Sequence, residues 1–387
     1  MQMRRAVDGT NKSNKSGLRS RIVAFGTCMA LGAIALGAIA LGAIALPGTA
    51  RAADPVALPA YQVDLSQTSV SGLSSGAFMA AQFAVAYSGI VAGAGIVAGG
   101  PYYCSGFPGI FPYIPYLTNA MSVCMNPAQS GVAPPMASVL WDAARNFAQA
   151  GQIDDTANLK KQRIYLFSGT QDNTVTRPVV DQTLQFYQLA GVPAAQIRYV
   201  TEVNAGHAFV TDKSSDQACA LTGSPYINDC DIRQAGDILR QIYPDLKPAV
   251  TTLSGSIVKF NQRSFLHSPY SSMSNTAYAY VPLACKTETC RVHVAFHGCE
   301  QGAAVIGERF YAGTGYNEAA DANHIIVLYP QAEPSQVYPF NPKGCWDFWG
   351  YTSINPFMPN FYQKSAMQMA AVKGMLDRLA SPRGSVR

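Results

Sequence analysis

Gly72-Leu73-Ser74-Ser75-Gly76 is the first run in this chain whose residue types and spacing could do chemistry. On a strand-to-helix turn, G-x-S-x-G projects its serine hydroxyl above the edge of a sheet. The amide of the next residue then lies at a helix N-terminus, where it can face developing negative charge. The pentapeptide alone is a weak signal, because Gly and Ser are common. Its flanks strengthen it: an apolar TSVSG runs in and an Ala-rich GAFMAAQFAVAY runs out. The bland alternative is a Gly/Ser turn that merely caps a helix.

A serine hydroxyl needs a base and a group to orient that base. In strand-edge triads of this type the chain order is Ser, then Asp or Glu, then His. Asp172 follows an apolar run at 164–168 inside Gly169-Thr170-Gln171-Asp172-Asn173-Thr174-Val175. His207 follows the run 197–203 inside Asn204-Ala205-Gly206-His207-Ala208-Phe209. Asp155, Asp181 and Asp212 are rivals to Asp172, but they sit in helical or polar surface stretches. The structural alternatives are an Asx-turn acid for Asp172 and a packed loop histidine for His207. Among the other histidines, His267 lies in a polar loop, His324 precedes a strand and His293 alternates within one. His297 begins His297-Gly298-Cys299 just after VHVAF, the kind of turn that supplies a second oxyanion donor from the backbone. The amides of Ser75 and Cys299 are the expected pair.

These residues need a sheet to hold them. Apolar runs at 67–72, 90–99, 162–168, 196–202, 256–260, 277–282, 291–296 and 324–329 lack polar alternation, as strands covered on both faces do. Helical patterns occupy 75–87, 136–150, 178–190, 232–243, 317–322 and 361–379. The alternation predicts an α/β fold with a mostly parallel sheet and helices on both faces. The oxyanion loop comes more than two hundred residues after Ser74, whereas in an ordinary α/β-hydrolase it precedes the nucleophile. A circular permutation explains this, with the Pro/Thr connector 244–255 joining the ancestral termini, which often lie close together.

Residues 1–52 predict a secretory signal: a basic start, an apolar run from Ile22 to Leu46 and an Ala50-Arg51-Ala52 cleavage site. An uncleaved anchor is the alternative, since the run is long enough to span a bilayer. Of the 28 basic and 23 acidic residues, seven and one lie in 1–52, which leaves 21 and 22 beyond it. With no basic face, a nucleic-acid partner is not expected. Only 13% of residues are charged and 48% are hydrophobic, which excludes a charge-rich disordered chain. Of nine cysteines, Cys28 leaves with the leader. The even remainder of an exported chain suggests four disulfides. Many connectivities are open; joining sequence neighbours gives Cys104–Cys124, Cys219–Cys230, Cys285–Cys290 and Cys299–Cys345. No C-x-x-C pair supports zinc, and no metal or cofactor is expected. The mature chain 53–387 is expected to be one catalytic domain, secreted to the periplasm or beyond, monomeric and without stable membrane association.

Taken together, GLSSGAFMA, SGTQDNTV, NAGHAF, VAFHGCEQ, HIIVLYPQA and GCWDFWG resemble the polyhydroxybutyrate depolymerase family of α/β-hydrolases, in its permuted single-domain branch. The resemblance covers nearly all of 60–380. It implies Ser74 as nucleophile, Asp172 as acid, His207 as base, and the Ser75 and Cys299 amides as the oxyanion hole. It also implies that Trp346 and Trp349 wall the substrate cleft. Many secreted members add a separate substrate-binding domain, which is not expected here. An uncharged polyester or its oligomers must be gripped by apolar surface, for which Tyr102, Tyr103, Phe107, Phe111, Tyr113 and Tyr116 are further candidates. Two other functions fit the same residues: a broader polyester, feruloyl or short-chain esterase, and a polymer-adsorbing protein with a relic triad.

Overall fold

The computed structural model describes residues 55–108 and 115–384. The expected leader, Phe111 and Tyr113 lie outside the described residues. Strands β1 (Thr68–Leu73), β2 (Val91–Val97), β3 (Arg163–Phe167), β4 (Ile197–Val200), β8 (Ser256–Asn261), β9 (Thr276–Val281), β10 (Arg291–Phe296) and β11 (Ile325–Tyr329) form one sheet. Their order is β4-β3-β2-β1-β10-β11-β9-β8. From β4 to β11 all pairs are parallel, and β9 and β8 add antiparallel strands at one edge. All eight strands coincide with predicted apolar runs.

Helices α1 (Ser75–Ala86), α2 (Pro115–Met121), α3 (Ala137–Gln149), α4 (Arg177–Leu189), α5 (Gln234–Ile242), α6 (Ala303–Ile306), α7 (Arg309–Gly313), α8 (Tyr316–Asp321) and α9 (Met367–Ala380) complete the layers. The last was expected from 361, but 361–366 forms turns, and Phe361 and Tyr362 pack inward there. Every residue of α1 is buried, as its apolar composition on all sides requires. On β1, Gly72 abuts α1 while Ser71 bonds Tyr316 of α8. Adjacent strand residues face opposite ways, so these two helices cover opposite faces. On β2, Gly93 and Gly95 leave the space that Ile242 and Ile238 of α5 fill.

The sheet is entered at the central strand β1, and the chain then runs outward to β4, crosses to the far edge at β8 and returns to β10, beside β1. The strand bearing the His-Gly turn is therefore next to the strand bearing the serine, although it comes late in the sequence. That is the permuted order the motif positions implied. The 244–255 connector is tied down rather than free. Val250 donates its amide to Glu318 O at 3.0 Å, and Ser254 donates its amide and hydroxyl to Asp321 at 2.9 and 2.8 Å.

A second, three-stranded parallel sheet was not foreseen. It comprises β5 (Phe209–Thr211), β6 (Gln217–Ala218) and β7 (Ile227–Asp229), in the order β5-β7-β6. Strands of two or three residues are too short to show periodicity. The four disulfides join Cys104 to Cys124, Cys219 to Cys230, Cys285 to Cys290 and Cys299 to Cys345. Residues 53–387 pack as one unit. Among the described residues no helix is long and apolar enough to cross a membrane.

Candidate active site

The serine turn is built by close approach. Ser74 holds φ +56° and ψ −124° between β1 and α1, a conformation that costs roughly 1–3 kcal/mol outside glycine and clusters at functional sites. A Cβ on Gly72 would lie 2.3 Å from Gly76 O, and one on Gly76 would lie 2.4 Å from the carbonyl oxygens of Phe296 and His297. Only glycine admits this contact of strand, helix and the β10 turn. Ser74 is partly exposed, and it lines a cavity of about 200 Å³ with Leu73, Met125, Thr174, His207 and Thr222. Tyr226, Gly298, Cys299, Glu300 and Lys343 close its other side.

Asp172 and His207 meet behind this cavity. Asp172 Oδ2 accepts from His207 Nδ1 at 2.8 Å, and its side chain is fully buried. Its other oxygen accepts the amides of Thr174 and Val175 at 2.8 and 3.0 Å. With Nδ1–H committed to the acid, Nε2 is the imidazole's free basic nitrogen. The His207 amide donates to Thr222 Oγ1 at 2.8 Å, and Gly206 N donates to Cys219 O at 2.9 Å. The small sheet and its disulfide thus form an arm that carries the histidine. Ser74 and His207 share the cavity without a direct hydrogen bond, a contact that commonly tightens only with substrate bound. The rival acids are engaged elsewhere: Asp155 caps Ala157, Asp181 accepts from Tyr199 and Asp212 pairs with Arg233.

The amides of Ser75 and Cys299 have no protein acceptor among the described residues. The loop bearing Cys299 lies against Ser74, since a Cβ on Gly298 would sit 3.5 Å from Ser74 Cβ. His297 fixes that loop. Its Nδ1 donates to Gly298 O at 2.7 Å, and its Nε2 accepts from Ala332 N at 3.1 Å. Burial pushes its pKa down to about 4, so it stays neutral and structural. His293 is likewise sealed: it bonds Ser69 and Ser71 at 2.7 Å each, and burial lowers its pKa to about 3. Disulfide Cys299–Cys345 and the bond from Glu300 N to Lys343 O at 2.7 Å brace the same loop from outside.

Two of the four expected cleft aromatics are sealed in the core and two are half-buried. Trp346 is fully buried against Phe296 and His297, and its amide donates to Ser75 Oγ at 3.2 Å. Tyr102 is also buried, on Phe186, with its hydroxyl donated to Tyr362 O at 3.0 Å. Tyr103 packs half-buried among Phe147, Phe361 and Tyr362. Trp349 is half-buried beside Phe348 and Tyr351. None of the four lines the cavity at Ser74. Among the exposed large apolar residues, Val337, Tyr338 and Phe340 share one loop and Ile354, Phe357 and Met358 share the next. The sequence could have flagged them by the prolines around them (Pro334, Pro339, Pro342, Pro356, Pro359), which keep these residues out of regular, buried elements.

No family model matches the chain. It is 38% identical over 350 residues to the polyhydroxybutyrate depolymerase of Talaromyces funiculosus, covering 86% of this chain and 95% of the fungal one. The chain belongs to the polyhydroxybutyrate depolymerase family. Within that family it is also 41% identical over 343 residues to the poly(3-hydroxybutyrate) depolymerase of Delftia acidovorans. That match covers 87% of this chain, which spans only 64% of the Delftia protein's length. The crystal structure of the depolymerase from Penicillium funiculosum matches with a TM-score of 0.72 and 36% identity, over 84% of this chain and 99% of that one. A depolymerase variant complexed with an R3HB trimer matches equally well. The mostly parallel sheet described above, with this structural match, is that of an α/β-hydrolase.

Proposed function

We propose that this chain is a secreted serine esterase that hydrolyses poly(3-hydroxybutyrate) or its oligomers through an acyl-enzyme. The observation that carries the reading is the buried Asp172–His207 pair at the wall of the cavity that also holds the strained Ser74. His207 Nε2 removes the Ser74 proton as Oγ attacks the ester carbonyl. The carbonyl oxygen becomes an oxyanion held by the Ser75 and Cys299 amides, each donor being worth ~10²–10³ in kcat. The imidazolium then protonates the departing alkoxide, and the hydroxyl-ended fragment leaves. A water, deprotonated by the same imidazole, releases the acid product and restores Ser74. Asp172 holds Nδ1–H and stabilises the imidazolium.

The neutral polymer is gripped outside the cavity, by the apolar loops 337–340 and 354–358. Ring contact between Tyr270 and Tyr338 at 5.3 Å extends the first loop, and Asn360 N donates to Ser353 Oγ at 3.0 Å to close the second. Four disulfides suit an oxidising compartment, and cleavage of 1–52 would deliver the chain there. The test is release of 3-hydroxybutyrate units from amorphous polymer, from a soluble dimer and from an aryl ester. Wild type should act on all three and Ser74→Ala on none. A double change, Phe340→Ser with Phe357→Ser, should slow polymer attack several-fold and spare the soluble esters. Turnover of the aryl ester alone would overturn the polyester assignment.

A further inference from the structure

One carboxylate at the cavity has no part in this scheme. Glu300 directly follows Cys299, lines the cavity and holds φ +60°. A side chain in this left-handed region persists when its surroundings over-determine it, and three bonds do so here. Its amide donates to Lys343 O at 2.7 Å. Its Oε2 accepts from Lys343 Nζ at 3.2 Å and from the Tyr226 hydroxyl at 3.1 Å. The lysine contact is largely solvent-exposed, so it contributes little. The tyrosine contact is different. Tyr226 belongs to the histidine arm: its carbonyl accepts from Phe209 N at 2.9 Å, and its ring stands edge-on to His207 at 6.4 Å between centroids. Partial burial and the neighbouring carboxylate both raise the phenol's pKa, which keeps it a donor.

Glu300 therefore joins two parts of the site that come from different layers. One is the oxyanion loop, already tied to residue 345 by disulfide. The other is the arm carrying the imidazole. The next residue, Gln301, adds a buried second tie: Oε1 accepts Gly298 N at 2.7 Å, and Nε2 donates to the Pro225 and Tyr226 carbonyls at 2.9 and 3.0 Å. Gln301 secures backbone to backbone, whereas Glu300 acts at the cavity wall, one residue from the Cys299 amide.

We propose that Glu300 is a positioning residue that, through Tyr226, sets the Cys299 amide in register with His207, so that both address the same reacting carbon. The proposal rests on the reading of Ser74, His207 and Cys299 as catalytic. Misplacement of a catalytic donor by about 1 Å can cost up to 10²-fold, so losing this tie should cost roughly tenfold in kcat.

The experiment uses the mature protein, a soluble aryl ester and a boronic acid that mimics the tetrahedral intermediate. Glu300→Ala and Tyr226→Phe should each lower kcat about tenfold with KM held within twofold. Boronate affinity should fall by the same factor. The double variant should be no slower than either single one, since both cut one tie. Glu300→Gln, whose amide oxygen still accepts the Tyr226 hydroxyl, should recover most of kcat. Glu300→Gly relieves the left-handed backbone and should be as slow as Ala. Wild-type kcat in the Gly variant would mean that Ala acts by strain alone, and the proposal would fall. It would fall equally on a change confined to KM, or on fully additive single effects. Fluorophosphonate labelling of Ser74 separates the two levels: labelling at Ser74 with a silent Glu300 refutes only this proposal, whereas labelling elsewhere refutes the catalytic reading beneath it.

Discussion

The serine turn and the histidine arm present two groups to one cavity, yet they are held by different means. The turn is fixed by exclusion: two glycines, a central strand and an entirely buried helix leave Ser74 no other place. The arm is fixed by attachment: three very short strands, one disulfide, the bonds His207 donates to Thr222 and Asp172, and the bond Gln301 donates to the Tyr226 carbonyl. The two glycines that permit the first kind lie within five residues. Attachments of the second kind draw on residues spread from Asp172 to Gln301. The turn should therefore fail all at once when its space is filled, and the arm should loosen by degrees.

The sharpest contrast comes from a change that should leave both regions folded. Asp172→Asn keeps the shape of the side chain but removes the acceptor that fixes the imidazole tautomer. Turnover of a soluble ester should drop by about 10⁴-fold with the melting temperature nearly unchanged. Unaltered turnover would separate Asp172 from the chemistry. Next in size is Gly76→Ala, whose methyl would stand 2.4 Å from two backbone carbonyls. Overpacking of this kind costs about 1–3 kcal/mol, occasionally more, and calorimetry should register it as a global loss. A stable, active Gly76→Ala protein would show that the turn can shift.

Removing the arm's disulfide with Cys219→Ser and Cys230→Ser should cost about 2–3 kcal/mol. Hydrogen exchange should place the loss in residues 205–230, leaving the main sheet protected. A uniform loss across the sheet would erase the proposed distinction. The last contrast concerns acid. His293 and His297 are buried beside the turn with pKa values lowered to about 3 and about 4. Unfolded, both titrate near the ordinary value of about 6.5, so the unfolded chain takes up their protons first. Their stabilisation is complete above about pH 6.5 and is lost as pH falls toward the folded values. The loss approaches about 1.4 kcal/mol per unit for each histidine. Denaturant titrations between pH 6.5 and 4.5 should show this slope, and a flat profile would mean that these rings are not sealed.

The same division explains what was legible in the sequence. The inner strands are continuous apolar runs because helices cover both faces, so composition alone marks them; the edge strand β8 is largely exposed. Ser74, Asp172, His207 and the His297 turn each follow such a run, and their order along the chain implied the permutation before any coordinates. The small sheet was not legible, because its strands are only two or three residues long and their pairing depends on a disulfide. The burial of Tyr102 and Trp346 was not legible for a related reason. An aromatic near a motif looks the same in sequence whether it faces solvent or core, and here the core claimed both. Glu300 and Tyr226 carried no local signal, since their contact spans seventy-four residues.

The most direct test of the account is a crystal structure of the mature protein inactivated by an aryl phosphonate. The account predicts phosphorus bonded to Ser74 Oγ, with His207 Nε2 in hydrogen-bond contact with the adduct. One phosphonyl oxygen should lie about 2.7–3.1 Å from the amides of both Ser75 and Cys299. An adduct on another residue, or a phosphonyl oxygen turned away from both amides, would contradict it.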